Sequence, residues 1–148
     1  MTKERFDARL VQDALIRRAG ALRDALERRI RLKLTGGVLR THSGTLAASI
    51  LSSISDDESD ATVTVSSAGV PYAAIQEFGG KTSAHDIIAK NAKALAFSGE
   101  GGIVFAKHVH HPGSIIPPRS YLASSLSELH DELESGFTSA ILEALGEE

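Results

Sequence analysis

Between about Glu4 and Leu34 the chain repeats apolar residues at helical spacing. Phe6, Leu10 and Ala14, then Leu15, Ala19, Leu22, Leu26, Ile30 and Leu34, fall three or four apart, with Arg and Lys on the other faces. Thr35-Gly36-Gly37 ends the pattern. About thirty residues of helix extend about 45 Å. A single domain of this size has a radius of gyration of about 15 Å, hence a diameter of roughly 35 to 40 Å. Such a helix overhangs its own domain unless Gly20 or Gly36 breaks it. Because the stripe keeps its phase past Gly20, part of it is expected to be buried against another subunit.

The charge on this helix has a counterpart at the other end of the chain. Residues 1–40 hold eleven Lys and Arg against five acids, a balance of +6, whereas from Arg119 onward one base faces seven acids, a balance of -6. The obvious partner of the basic helix is therefore the acidic C-terminal segment, in the same chain or a neighbouring copy. Such complementarity fixes register and steers assembly more than it adds affinity. Asp13 with Arg17, Asp24 with Arg28 and Glu27 with Arg31 are spaced to pair along the helix.

With 148 residues, 42% of them apolar, the chain can build one core and is too short for two. Aromatics are 5% and Trp is absent, so Leu, Ile, Val and Ala must make that core. There is no cysteine, which excludes disulfides and thiolate chemistry. The longest apolar runs, such as Ile103 to Ala106, are too short to span a bilayer, and the charged start Met-Thr-Lys-Glu-Arg is not a secretion signal. A protein soluble in the cytoplasm is expected.

After the first helix, Ser43 can cap a short helix carrying Leu46 and Ile50 on one face. Leu51 to Ser55 and Ala61 to Ser66 alternate across the polar turn Asp56 to Asp60, which reads as a β-hairpin with Val63 and Val65 facing one way. Pro71 to Gly80 reads as one short helix stopped by Gly79, with Tyr72 and Phe78 anchoring it on a sheet. Three strands follow, Asp86 to Ala89, Ala94 to Phe97 and Ile103 to His110, the last two joined by a glycine-rich turn. Three of the four prolines lie in the irregular stretch His111 to Pro118. From Pro118 or Arg119 a final helix carries the stripe Leu122, Leu126, Leu129, Leu133, Phe137, Ile141 and Leu145, interrupted by Gly136. The expected architecture is a single α+β domain over residues 1–148: a long N-terminal helix (1–36), short helices with an antiparallel sheet (43–118), and a long C-terminal helix (119–146).

Reactive constellations are scarce in this pattern. His108, His110 and His111 invite a zinc reading, since imidazoles two apart on a strand share a face, but a further ligand such as His85 or Asp86 would have to arrive from another strand. The plainer reading is a polar strand end, with at most some pH sensitivity. Gly99, Gly101 and Gly102 lie between strands, without the helix start that a phosphate cradle needs. No nucleophile elbow, His-Glu-x-x-His pair or paired-carboxylate pattern is present, so neither catalysis nor a metal, cofactor or small-molecule substrate is expected. The basic first helix could touch phosphates, but its arginines spread around the helix and no aromatics interleave for base stacking.

Several short pieces together resemble a known family. Ser43-Gly44-Thr45-Leu46 with Ser49-Ile50, Tyr72-Ala73 with Gln76-Glu77-Phe78-Gly79-Gly80, Ala94-Leu95-Ala96-Phe97, Val104-Phe105-Ala106-Lys107, His111-Pro112-Gly113 and Pro118-Arg119-Ser120-Tyr121-Leu122 resemble the tail-completion or neck proteins of tailed bacteriophages and prophages, also called virion morphogenesis proteins. The likeness runs from about residue 43 to 126; the first helix matches in character alone. Many relatives carry Phe where this chain has Tyr121, which keeps the aromatic anchor and adds a hydroxyl. The resemblance implies a structural, non-catalytic virion protein without a cofactor. It would form a homo-oligomeric ring, commonly of six copies, at the head-tail junction, between the head connector or stopper and the tail tube or tail terminator. DNA would pass through the channel without sequence-specific binding. Its signature residues here are Tyr72, Glu77, Phe78, Gly79, Gly80, Pro112, Gly113, Pro118, Arg119, Tyr121 and Leu122. Alternatives are a tail terminator capping the tube, and a basic nucleic-acid-binding accessory protein.

Overall fold

A computed structural model describes residues 8–39, 43–57 and 60–145. Among these the chain is α+β, with five helices and antiparallel strands between the long first and last helices. Helix α1 (Ala8–Leu32) runs unbroken through Gly20 and passes into a wider five-residue turn, Lys33–Gly37, in which Val38 N–H donates to Lys33 C=O at 2.9 Å. Gly36, at φ 139°, is where the helical path ends. The 25 residues of α1 correspond to about 37 Å. The part of the first helix expected before Ala8 lies outside the described residues.

Much of the α1 stripe is covered within its own chain, while Val11, Leu15 and Ile16 near its start line an open cavity. Ala14, Ala19, Leu22 and Ile30 are buried, and α1 packs on strands β1 (Ile50–Asp56) and β2 (Ala61–Ser67) and on helices α4 (Ala123–Glu128) and α5 (His130–Leu145). The β1–β2 hairpin turns Ile50, Ser52 and Ile54 inward, opposite Ser67, Val65 and Val63, while Leu51 points out. Its turn is closed by Asp57, which donates its N–H to Asp60 C=O and accepts from Asp60 N–H on Oδ1, both at 2.9 Å.

The core gathers at the C-terminal end of α1. Ile30, Leu34 and Leu39 meet Leu46 of α2 (Thr45–Ala48), Ile50, Ala73 of α3 (Ala73–Phe78) and Tyr121. A polar staple holds the same corner: Glu27 accepts from Ser52 Oγ at 2.5 Å and pairs with Arg31, whose guanidinium also donates to Ala47 C=O at 2.7 Å and Ile50 C=O at 3.3 Å. Hydrogen bonds from Ser52 and Arg31 hold the Glu27 carboxyl below its ordinary range. Asp24 pairs with its neighbour Arg23 at 2.7 Å.

The charge complementarity of the two chain ends is realised inside one copy. Arg18 donates to Glu132 C=O at 3.0 Å, Arg29 pairs with the Glu132 carboxylate at 2.7 Å, and Lys33 pairs with Glu128 at 2.7 Å while donating to Ser124 Oγ. Gly136 has a specific role here, since a Cβ at this position would overlap the Arg18 guanidinium crossing α5.

Two other expectations are corrected. The final helix does not begin at Pro118 or Arg119: residues 117–122 form a loop, α4 starts at Ala123, and the helix divides at Leu129, which is buried. The strands do not join in one sheet. They form four two-stranded ladders: β1–β2 in the body, and three in succession along residues 80–116.

Candidate functional site

The two segments that carry most of the signature, 71–80 and 111–122, meet at one place, and Glu77 joins them. Its side chain is 4% exposed and accepts four hydrogen bonds: from Ser120 Oγ at 2.8 Å, Tyr121 N–H at 2.7 Å, Leu122 N–H at 2.9 Å and Ala123 N–H at 3.0 Å. These N–H groups open α4 and have no partner within that helix. Pro117-Pro118 supplies no N–H of its own, so the chain arrives with its donors directed at the carboxylate. Burial pushes the Glu77 carboxyl up, but the four hydrogen bonds to its charged form outweigh it and hold it below its ordinary range.

The neighbouring signature residues complete the joint. Tyr121 is 1% exposed and lies in the core, its hydroxyl 3.4 Å from Ala73 C=O; burial and the nearby Glu77 charge push its phenol above its ordinary range. Leu122 packs against the same core, and Arg119 N–H donates to Gln76 C=O at 2.8 Å. Gly79 has φ 72° and ψ -176°, a conformation open to glycine alone, so it ends α3 by reversing the chain and not as a left-handed helical cap. A Cβ there would stand 2.7 Å from Pro118 N and 2.9 Å from Ile116 O. Gly80, at φ 150°, starts strand β3. Pro112 and Gly113 lie in the link between the strand that ends at His111 and the one that starts at Ile115, and a Cβ on Gly113 would overlap Thr82 C=O.

Tyr72 and Phe78 do not anchor α3. Both are exposed, Phe78 at 77%, and the face of α3 that packs inward carries Ala73 and Glu77. Tyr72 and Arg119 instead line a cavity of about 250 Å³ beside Leu34, Leu39 and Leu46.

From this joint residues 80–116 leave the body as one interrupted ribbon. Strands β3 (Gly80–Lys81) and β8 (Ile115–Ile116), then β4 (His85–Ile88) and β7 (His108–His111), share one register. The outer ladder, β5 (Leu95–Gly99) with β6 (Gly102–Ala106), is displaced by five residues, because residues 89–94 face the single Lys107 on the returning side. The strand expected from Ile103 to His110 is thus two strands with a bend at Lys107. Ile87, Ile88, Phe97, Ile103, Val104, Phe105 and Ile115 are all exposed on this arm.

The histidines share its middle ladder. Pairing of β4 with β7 does bring the residues that sequence spacing left apart: His85 stacks on His111 with ring centroids 5.0 Å apart, and Asp86 Oδ1 lies 2.8 Å from His110 Nδ1 and 3.4 Å from His108 Nε2. His110 in particular holds the exposed Asp86 carboxyl below its ordinary range. No group of three His, Asp or Glu among the described residues is arranged to hold a metal ion, and no helix among them is long and apolar enough to cross a membrane.

Glu77 is the residue whose role the sequence did not reveal. Its partners lie 43 to 46 residues away, and spacing within α3 assigns the core face to the aromatics. The arm's lack of cover was equally hidden, since covered and uncovered strands alternate alike. No protein-family model, curated protein or solved structure matches this chain.

Proposed function

We propose that this chain is a structural subunit that assembles through its arm into a homo-oligomeric ring, and that the ring stands at the head-tail junction of a tailed phage or prophage. The junction comes from the resemblance of residues 43–126. The observation that carries assembly is the arm: a two-stranded ribbon with both faces and both edges open, bearing seven large exposed apolar side chains. A lone ribbon of this kind is marginally stable in water, and a concentrated exposed apolar surface marks a binding site. The body, by contrast, has a core of its own, gathered around Tyr121 and Ile30. Nucleic-acid binding by α1 is the weaker reading, because Arg18, Arg29, Arg31 and Lys33 are already bonded within the chain.

Native mass spectrometry and light scattering at micromolar concentration test assembly; a monomer both free and in purified virions would overturn it. Deleting the gene tests the place of action. DNA-filled heads and separate tails are expected, and normally joined particles would refute the junction assignment.

A further inference from the structure

Besides the arm, the described residues leave apolar openings in the body, one of them between α1 and α5. Val11, Leu15 and Ile16 of α1 and Phe137 of α5 line a cavity of about 550 Å³, with Asp57 and Asp60 of the β1–β2 turn among its walls. It lies near the N-terminal end of α1, whereas the arm springs from the joint beside Ile30 and Leu34 near the other end. Val11 and Ile30 stand about 28 Å apart along the helix axis at the α-helical rise. The arm's outer ladders share no substantial packing with α1 or α5.

The arm carries a matching wedge. Ile103 and Phe105 are two apart on β6 and therefore share a face, at 70% and 69% exposure. Their cross-strand partners on β5 are Ser98 and Ala96, too small to cover them. Charge agrees with shape: residues 80–116 hold four Lys against two acids, and the sequence at 56–60, which includes the cavity-lining Asp57 and Asp60, holds four acids and no base.

We infer that the groove between α1 and α5 is the receptor for the arm of a second copy of this chain, with Ile103 and Phe105 entering it and the arm lysines, Lys107 nearest the wedge, facing Asp57 and Asp60. This rests on the reading that copies of the chain assemble. Donor and receptor surfaces differ and lie at opposite ends of α1, so the contact is head to tail. Repeated, it closes a ring if the rotation permits and otherwise extends as a filament.

The absence of cysteine makes the test direct. Ile103→Cys and Leu15→Cys are prepared as single variants, each checked for an unchanged thermal melt, and oxidised separately and mixed. The mixture is expected to give a covalent dimer that neither variant gives alone, and the double variant a ladder of species. Phe105→Asp, exposed and away from the core, is expected to weaken self-association by roughly tenfold or more through loss of apolar burial and repulsion by the aspartates. A dimer from Ile103→Cys alone would mean arm-to-arm contact and overturn the proposal. Oligomers in native mass spectra without the mixed cross-link, or with Phe105→Asp unaffected, would also overturn it while leaving the ring reading standing. A monomer throughout would overturn both.

Discussion

Replacing Glu77 by Gln isolates the joint between the body and the arm. The substitution preserves shape but puts an amide NH₂ where one carboxylate oxygen accepts two hydrogen bonds. The oxygens divide their partners as Tyr121 and Leu122 N–H on one, and Ser120 Oγ and Ala123 N–H on the other. Whichever way the amide turns, at least one backbone N–H faces another donor, and the bonds that remain lose their charge assistance. A hydrogen bond to a charged group contributes about 1.5 to 3 kcal/mol, so losing two costs roughly 3 to 6 kcal/mol. That is a large share of the roughly 5 to 15 kcal/mol of a typical domain. At about 2 to 4 °C per kcal/mol for a chain of this size, the melting temperature should fall by roughly 6 to 24 °C. The pH dependence is a second check. The folded Glu77 carboxyl is held below its unfolded value near 4.5, so its contribution is fully present above that pH and is lost as pH falls through the folded value. The gap between wild type and Glu77→Gln should be widest near neutrality and narrow below about pH 4.5. Urea unfolding followed by circular dichroism at several pH values measures both. A gap under about 1 kcal/mol at pH 7, or one that stays constant on acidification, would refute the capping role.

Gly79→Ala should cost about 3 kcal/mol or more, because steric overlap with Pro118 and Ile116 adds to a backbone strain of about 1 to 3 kcal/mol. Gly36→Ala also sits at positive φ, but nothing lies within 4 Å of its added Cβ, so it should cost roughly 1 to 2 kcal/mol by the same unfolding assay. Tyr121→Phe should change stability by less than about 1 kcal/mol, since the hydroxyl bond to Ala73 is long at 3.4 Å, whereas Tyr121→Ala should cost about 3 to 5 kcal/mol. The folded Tyr121 phenol is pushed above 10, so wild type should lose stability as pH rises past 10 toward that folded value, and Tyr121→Phe should lose less over the same range. A double-mutant cycle on Arg29 and Glu132, both partly solvent-exposed, should give a coupling under about 1 kcal/mol that shrinks with added salt.

What the sequence made legible follows from where the determining contacts lie. The extent of α1 is written locally in its stripe and in Gly36, and so is the outer hairpin around Gly99 to Gly102. Glu77 was singled out through resemblance alone, because a carboxylate four residues after Ala73 looks like the wet face of a helix until the donors of residues 121–123 are brought to it. The same blindness misplaced Tyr72 and Phe78: a three-residue spacing shows that a face is apolar, not whether anything covers it. The division of the last helix at Leu129 is likewise a matter of packing, since its stripe runs through the break in phase.

The electrostatics acquire a different meaning once the pairs are assigned. The +6 of the first forty residues and the -6 of the C-terminal segment are candidates for steering copies together, yet Arg29 and Lys33 pair with Glu132 and Glu128 of the same copy. Charges paired in this way exert little pull beyond about 8 Å at physiological salt. The sequence of the middle of the chain holds two poles, residues 56–60 with four acids and no base, and the arm with four Lys against two acids. The acidic pole lies beside the groove at one end of α1, and the basic pole rides on the ribbon that leaves from the other. Two like subunits meeting groove to groove or arm to arm bring equal charges together; groove to arm brings opposite ones. The charge pattern therefore disfavours groove-to-groove and arm-to-arm pairing and favours the groove-to-arm contact from which a ring is built.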